Sequence, residues 1–198
     1  MAKNAIANER KNQIVRATVD CITSFGYHNF SMQDVAKKAG VSKGIIHYYF
    51  LNKDDLMMSV LDKVAGDIQT TLKEKMGQAK LVYDKMEIFI EVTINVVRNS
   101  KEYYQVNMDF WTQINQKEDV RSVIASHYEK FRESCAEVLK EGIANGEFAD
   151  IPVEETAAAI VGMLDGLSLQ WLFDENRFKI NEILDQSKKM IFSFIEKK

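Results

Sequence analysis

The sequence predicts an all-α protein, and three observations carry the prediction. Its 198 residues include nine Gly and a single Pro, so the two strongest helix breakers are scarce. Apolar residues recur about every three to four positions through most of the chain, which is the helical period. Alternating Val- and Thr-rich runs, which would read as strands, are few. With 46% hydrophobic and 28% charged residues the chain can bury a core. Collagen-like, disordered and β-sandwich readings are excluded.

The first element is a helix whose stripe is Ile14, Ala17, Cys21, Ile22 and Phe25, and Gly26 stops it. Ser31, with Asp34 three positions on, is close to a capping box and opens a short second helix. Met32, Val35, Ala36 and Ala39 face inward there, and Gly40 ends it by supplying a left-handed conformation. Ser42 caps a third helix whose apolar positions are Ile45, Ile46, Tyr49 and Phe50. Asn52 caps a fourth, with Asp54 and Asp55 in the first turn where the helix dipole favours acids. Leu56, Val60, Leu61, Val64, Ile68 and Leu72 continue it to about Gly77. Amphipathic spacing then predicts helices over 84–99, 101–116 and 120–144, the last ending at Asn145-Gly146. Pro152 opens the next segment, and helices over 153–173 and 180–196 close the chain.

Charge is divided unevenly. Residues 1–53 carry eight basic side chains against three acidic ones, a net of +5 within a total of -3. A cationic first quarter on an anionic remainder suggests that the head meets a polyanion and the body does not. Chance fluctuation is the competing reading.

The helix, short turn and helix around Ala39-Gly40-Val41 is the spacing of a helix-turn-helix. The major groove of DNA, about 12 Å wide, admits one helix held out by another that crosses the backbone. Helix N-termini present unpaired N–H groups to phosphates, and small caps such as Ser31 and Ser42 let a duplex approach. A third helix beginning at Lys43 turns Lys43, Gly44, Ile45, His47 and Tyr48 outward. Gly44 costs roughly 1 kcal/mol there relative to Ala, acceptable where backbone approaches DNA. On local pattern alone, a helical hairpin that only packs is the alternative.

The run Ser31-Met-Gln-Asp-Val-Ala-Lys-Lys-Ala-Gly-Val-Ser-Lys-Gly-Ile-Ile-His-Tyr-Tyr-Phe-Leu-Asn-Lys-Asp-Asp-Leu56 resembles the DNA-binding region of TetR-family transcriptional repressors. The shared features are a hydroxyl residue opening the second helix, Ala-Gly-Val-Ser in the turn, Gly in the third helix, Tyr-Phe at its end and Lys-x-x-Leu opening the fourth. Ile143-Ala-Asn-Gly-Glu-Phe and Leu164-Asp-Gly-Leu-Ser-Leu-Gln-Trp-Leu-Phe-Asp174 resemble the C-terminal region of the betaine-responsive branch. The resemblance implies an all-α homodimer with a three-helix head at 1–52 and a larger ligand-binding and dimerising body at 53–198. It implies a cytoplasmic repressor that a small-molecule inducer releases from a palindromic double-stranded operator.

The same resemblance implies residue roles. Lys43, Gly44 and Ile45 would face base edges or flanking backbone, with Ser42 capping their helix. Ile45 stands where Thr is commoner, which favours apolar contact with thymine. His47 occupies the place of a phosphate-contacting Tyr, Tyr48 would touch backbone or a thymine methyl, and Tyr49 would be partly core and partly phosphate-facing. Ser31, Gln33 and Lys53 would contact phosphates. Much of the affinity should then be electrostatic and salt-sensitive.

For the body the sequence yields a shortlist. Met86, Phe89, Ile90, Thr93, Asn107, Phe110, Trp111, Gln113 and Met163 could line an effector pocket, with Trp111 and Asn107 foremost, or could be ordinary core. Such a lining suits a hydrophobic or cationic effector. Dimerisation is expected through the last two helices. Ala158, Gly162 and Gly166 form a smooth strip that suits close helix approach or tight internal packing. Leu164, Leu167, Trp171, Ile183, Leu184, Met190, Ile191 and Phe194 supply apolar surface for a four-helix arrangement between subunits. Two-fold symmetry would place paired heads about 34–36 Å apart, matching successive major grooves.

Other classes find little support. GxSxG, a phosphate-cradling glycine loop, HExxH and a carboxylate–histidine set are all missing, so no enzyme is expected. The acid pairs Asp54-Asp55 and Glu154-Glu155 sit at helix starts, where the dipole explains them. Cys21 and Cys135 are expected as buried free thiols, and His28, His47 and His127 are too scattered for a zinc site; no cofactor or metal is implied. The first residues lack a signal peptide's apolar core, and the longest apolar run, 157–172, is broken by Asp165 and short for a membrane span. The runner-up is a helical small-molecule carrier without specific DNA binding.

Overall fold

The computed structural model describes residues 2–26, 28–99, 101–111, 118–177 and 179–197. Among these the elements are nine helices: α1 (Ala2–Phe25), α2 (Met32–Ala39), α3 (Lys43–Tyr49), α4 (Lys53–Gln78), α5 (Val82–Asn99), α6 (Lys101–Trp111), α7 (Glu118–Ala144), α8 (Val153–Phe173) and α9 (Ile180–Ile195). The protein is all-α, with a three-helix head bearing a helix-turn-helix and a larger helical region beyond it. The expected continuation of the sixth helix to Gln116 lies outside the described residues. The chain forms two compact units, residues 1–65 with 102–123 and residues 66–101 with 124–198.

In the first unit α1 packs on α2, and α2 on α3. Its core is built by the apolar stripes: Ile14, Cys21 and Ile22 of α1, Val35 and Ala36 of α2, Ile46 and Phe50 around α3, and Leu56 and Met57 of α4, all buried. Phe25 departs from its expected place, being 54% exposed. It is the last residue of α1, and the chain turns away immediately at Gly26 (φ 80°), so no helical turn comes after it to cover the ring. Gly26 N–H donates to the Ile22 carbonyl at 2.8 Å and Asn29 Nδ2 donates to the Phe25 carbonyl at 3.0 Å, which closes the helix end.

In the second unit α5 packs against α8 and α9. Met86, Phe89, Ile90, Ile94 and Val97 of α5 meet a core completed by Leu164, Ile191, Phe192 and Ile195. Tyr83 stacks on Phe192 with ring centroids 3.9 Å apart. Lys188 of α9 bonds Glu91 at 2.6 Å and pairs with Glu87 at 3.3 Å. Burial works against that ammonium's charge, but the two glutamates outweigh it and hold its pKa above the usual lysine value. Past α7 the chain turns through Gly146 (φ 75°), and Phe148 pairs with Glu196 in an isolated antiparallel bridge that anchors the end of α9. Both cysteines are buried and free; burial pushes the Cys135 thiol up to about 12.

The eighth helix is longer than its uninterrupted apolar run. At 21 residues it is long and apolar enough, by length and composition, to cross a membrane, which corrects the reading of 157–172 as too short. Helix geometry carries the chain past Asp165, whose carboxylate accepts the Tyr128 hydroxyl at 2.8 Å instead of ending the element. Only 39% of its most apolar window is buried within the protein.

Candidate nucleic-acid interface

The head is assembled by its caps. Ser31 Oγ accepts the Asp34 N–H, and Asp34 Oδ2 accepts the Ser31 N–H at 2.8 Å and its hydroxyl at 2.7 Å, completing a reciprocal box. Those bonds from the Ser31 side chain and backbone hold the Asp34 carboxyl below its ordinary value. At the other end Gly40 (φ 63°, ψ 34°) is left-handed, and Val41 N–H reaches the Ala36 carbonyl at 3.0 Å, the pattern that satisfies a helix's last carbonyls. The side-chain amide of Gln13 on α1 donates to the Ala39 carbonyl at 2.7 Å, tying α1 to this turn. Ser42 Oγ then accepts the Ile45 N–H and opens α3. Asn52 Oδ1 accepts the Asp55 N–H at 2.9 Å and opens α4, while Asp55 returns to the Leu51 N–H.

This frame separates the two faces of α3. Ile46 and Phe50 are wholly buried, whereas Lys43, Gly44, Ile45, His47 and Tyr48 are exposed, Tyr48 to 79%. Tyr49 is half-buried and meets Tyr48 edge-on at 5.0 Å. Ser31, Gln33 and Ser42 are exposed too, but both serine side chains are engaged in caps. Lys53 is placed differently from a freely extended phosphate contact. Its ammonium lies 4.0 Å from the centroid of Phe30 and donates to the Phe30 carbonyl at 3.2 Å, bracing the entry to α2. Sequence reasoning missed this brace and Gln13; a polar residue directly before the buried Ile14 was the only signal for the latter.

The effector shortlist has members in both units. Met86, Phe89, Ile90 and Thr93 are buried on α5 in the second unit, with the Thr93 hydroxyl donating to the Phe89 carbonyl at 2.8 Å. Asn107 is buried and Trp111 half-buried, both on the part of α6 that belongs to the first unit. Phe110 is in α6, with its side chain outside the described set, and Gln113 lies outside the described residues. Met163 lines an apolar groove of about 410 Å³ with Pro152, Ala159, Ile160, Met190 and Phe194.

The expected dimer residues also divide. Leu164, Trp171 and Ile191 are buried within the second unit, while Met190 and Phe194 are 52% and 61% exposed. Ala158 and Gly162 face solvent, and Gly166, Leu167, Ile183 and Leu184 are half-buried. Among the described residues no group of three or more His, Cys, Asp or Glu could hold a metal ion.

A short capped helix held out by a second, cationic in its surroundings and exposed on one face, defines a helix-turn-helix transcriptional regulator. Residues 14–60 match the description "Bacterial regulatory proteins, tetR family", and residues 84–196 match "BetI-type transcriptional repressor, C-terminal". The chain belongs to the TetR family, with a BetI-type C-terminal region. It is 23% identical over 190 residues to the fatty acid metabolism regulator protein of Bacillus subtilis, covering 94% of this chain and 95% of that one. A Saccharomonospora viridis structure in complex with choline superposes with a TM-score of 0.84 at 20% identity, covering 96% of this chain and all of that one. FadR of Bacillus subtilis in complex with stearoyl-CoA gives a TM-score of 0.74 at 21% identity, covering 91% and 97%.

Proposed function

We propose that the protein is a cytoplasmic homodimeric repressor, released from a palindromic operator when a small molecule binds its body. The observation that carries the reading is the exposed face of α3, capped by Ser42, in a head that is net positive while the rest of the chain is net negative. In this reading residues 1–52 contact DNA through Ser31, Gln33, Ser42, Lys43, Gly44, Ile45, His47, Tyr48 and Tyr49. Lys53 acts mainly by positioning α2. Residues 53–198 bind effector and dimerise, with Met86, Phe89, Ile90 and Thr93 of α5 as the pocket's apolar wall. Relatives that share the fold were solved with ligands as unlike as choline and stearoyl-CoA, which supports a small-molecule effector without choosing its class.

Dimerisation through α8 and α9 accounts for the apolar groove and for the modest burial of α8. A second copy would cover Met163, Met190 and Phe194, with Ala158 and Gly162 admitting close helix approach. Phe194→Glu should therefore give a monomer by analytical ultracentrifugation, with melting behaviour otherwise kept; a dimer of unchanged affinity would remove α9 from the interface. The operator reading is tested by fluorescence anisotropy on duplex DNA from immediately upstream of the gene, against a scrambled duplex, at two salt concentrations. Preference for the upstream duplex, with two protomers bound, is the expected result. Equal affinity for every duplex at each salt concentration would overturn it.

A further inference from the structure

We propose that the effector is a protonated amine with an apolar tail, and that the Asp165 carboxylate of α8, beside Tyr128 of α7, is the counter-charge that holds it. This rests on the repressor reading above and names the class of molecule that releases the operator. Asp165 is half-buried, and its oxygens accept one hydrogen bond among the described residues, from the Tyr128 hydroxyl at 2.8 Å. No Lys, Arg or His among those residues ion-pairs with it. Lysines in the same unit are matched instead: Lys188 by Glu87 and Glu91, and Lys85 by Glu141 at 2.6 Å. A carboxylate drawn out of water with no counter-charge costs free energy, which marks it as a place for a cation that arrives from outside.

The chemistry of the site selects among cations. An ionised carboxylate offers about four lone-pair sites, and the Tyr128 hydroxyl occupies one. An ammonium brings both charge and N–H donors to the remainder. It forms the short charge-assisted bonds that a quaternary ammonium, having no N–H, does not make. Burial raises the Asp165 carboxyl above its ordinary value and the Tyr128 bond opposes this only in part, as expected of an acid without a cation at hand. The tail follows from the packing. Besides meeting α7 through Asp165, α8 packs on α5, the proposed apolar wall of Met86, Phe89 and Ile90, so the charged and apolar ends of one ligand would meet adjoining helices.

The test uses full-length protein and butyl, hexyl and octyl chains, each bearing an amine, a trimethylammonium, a hydroxyl or a carboxylate head. Melting shifts report binding, and anisotropy on the upstream duplex reports release. Amines should stabilise the protein and free the duplex, with the other heads at least about tenfold weaker. Two variants separate charge from packing. Asp165→Asn keeps an acceptor for the Tyr128 hydroxyl but removes the charge, and should weaken amine binding at least about tenfold. Tyr128→Phe breaks the hydrogen bond but keeps the charge, and should still respond to amines. Equal shifts from every head, preference for the carboxylate, or no shift by any amine would overturn the inference. So would an undiminished amine response in Asp165→Asn, and a trimethylammonium head as effective as the amine would overturn the choice of an amine. Each of these leaves the repressor reading intact so long as the upstream duplex is preferred. A parent that prefers no duplex would remove the repressor reading, and the effector assignment with it, even where amines bind.

Discussion

Gly142, near the end of α7, is the position where one added methyl group should do most harm. A Cβ built there clashes with the Phe148 ring, pressing on Cδ2 and lying 2.5 Å from Cε2 and 2.7 Å from Cγ. The ring has little room to yield. Phe148 is 2% exposed, its N–H and that of Glu147 donate to the Gly142 carbonyl at 3.0 and 2.9 Å, and Ala149 N–H is tied to Ile195 at 2.8 Å. Forcing a methyl into such packing costs about 1–3 kcal/mol, and expelling a buried Phe altogether about 3–5 kcal/mol. Alanine recovers at most about 1 kcal/mol over glycine as a helix former, less near a helix end. The expected net loss is about 1–3 kcal/mol, or roughly 2–12 °C in melting temperature for a chain of this size.

The assay is calorimetric melting of Gly142→Ala beside Gly66→Ala on α4, where a Cβ meets nothing within 4 Å. The second substitution should stabilise by about 0.5–1 kcal/mol, so one chemical change is expected to have opposite signs at two helical glycines. A cycle with Phe148→Ala isolates the cause: once the ring is gone, adding the methyl should cost nothing. If Gly142→Ala melts at or above the parent, or its loss persists undiminished in the Phe148→Ala background, the steric argument is wrong. The consequence extends to function because the Phe148–Glu196 bridge fixes the end of α9, which presents Phe194 to the proposed dimer face.

Four further outcomes are expected. Burial raises the Asp165 carboxyl above its ordinary value, the Tyr128 hydrogen bond opposing it only in part, so the folded state holds the proton more tightly than the unfolded chain. This residue therefore lowers stability as pH rises through its titration; Asp165→Asn should melt higher than the parent at pH 7, and the gap should vanish below about pH 4. Asp34 shifts the other way, so its box stabilises above the unfolded carboxylate pKa and is lost on acidification; Ser31→Ala should cost about 1 kcal/mol at pH 7 by chemical denaturation and less at pH 2 to 3. Lys43→Gln should weaken operator binding and reduce the salt slope of the affinity by about 1 with melting unchanged, whereas Lys53→Gln should lower the melting temperature, since its ammonium braces Phe30.

How much of this was legible in the sequence depended on the range of the interaction. The caps at Ser31, Ser42 and Asn52 and the left-handed Gly40 are set by neighbours within a few residues, and they were readable as spacing. The outward face of α3 was readable because Ile46 and Phe50 fix its phase. Phe25 was misplaced because periodicity records which residues share a stripe, not where the covering helix stops. Lys53 was read only as a phosphate contact; its ammonium also bonds a residue 23 positions away, a contact no local pattern encodes. The dimer strip shows the same limit from the other side. Leu164 and Phe194 look alike as apolar positions on the last two helices, but in the unit where α5 packs on both helices Leu164 is buried and Phe194 is 61% exposed, and only the assembled unit tells the core side chain from the bare one.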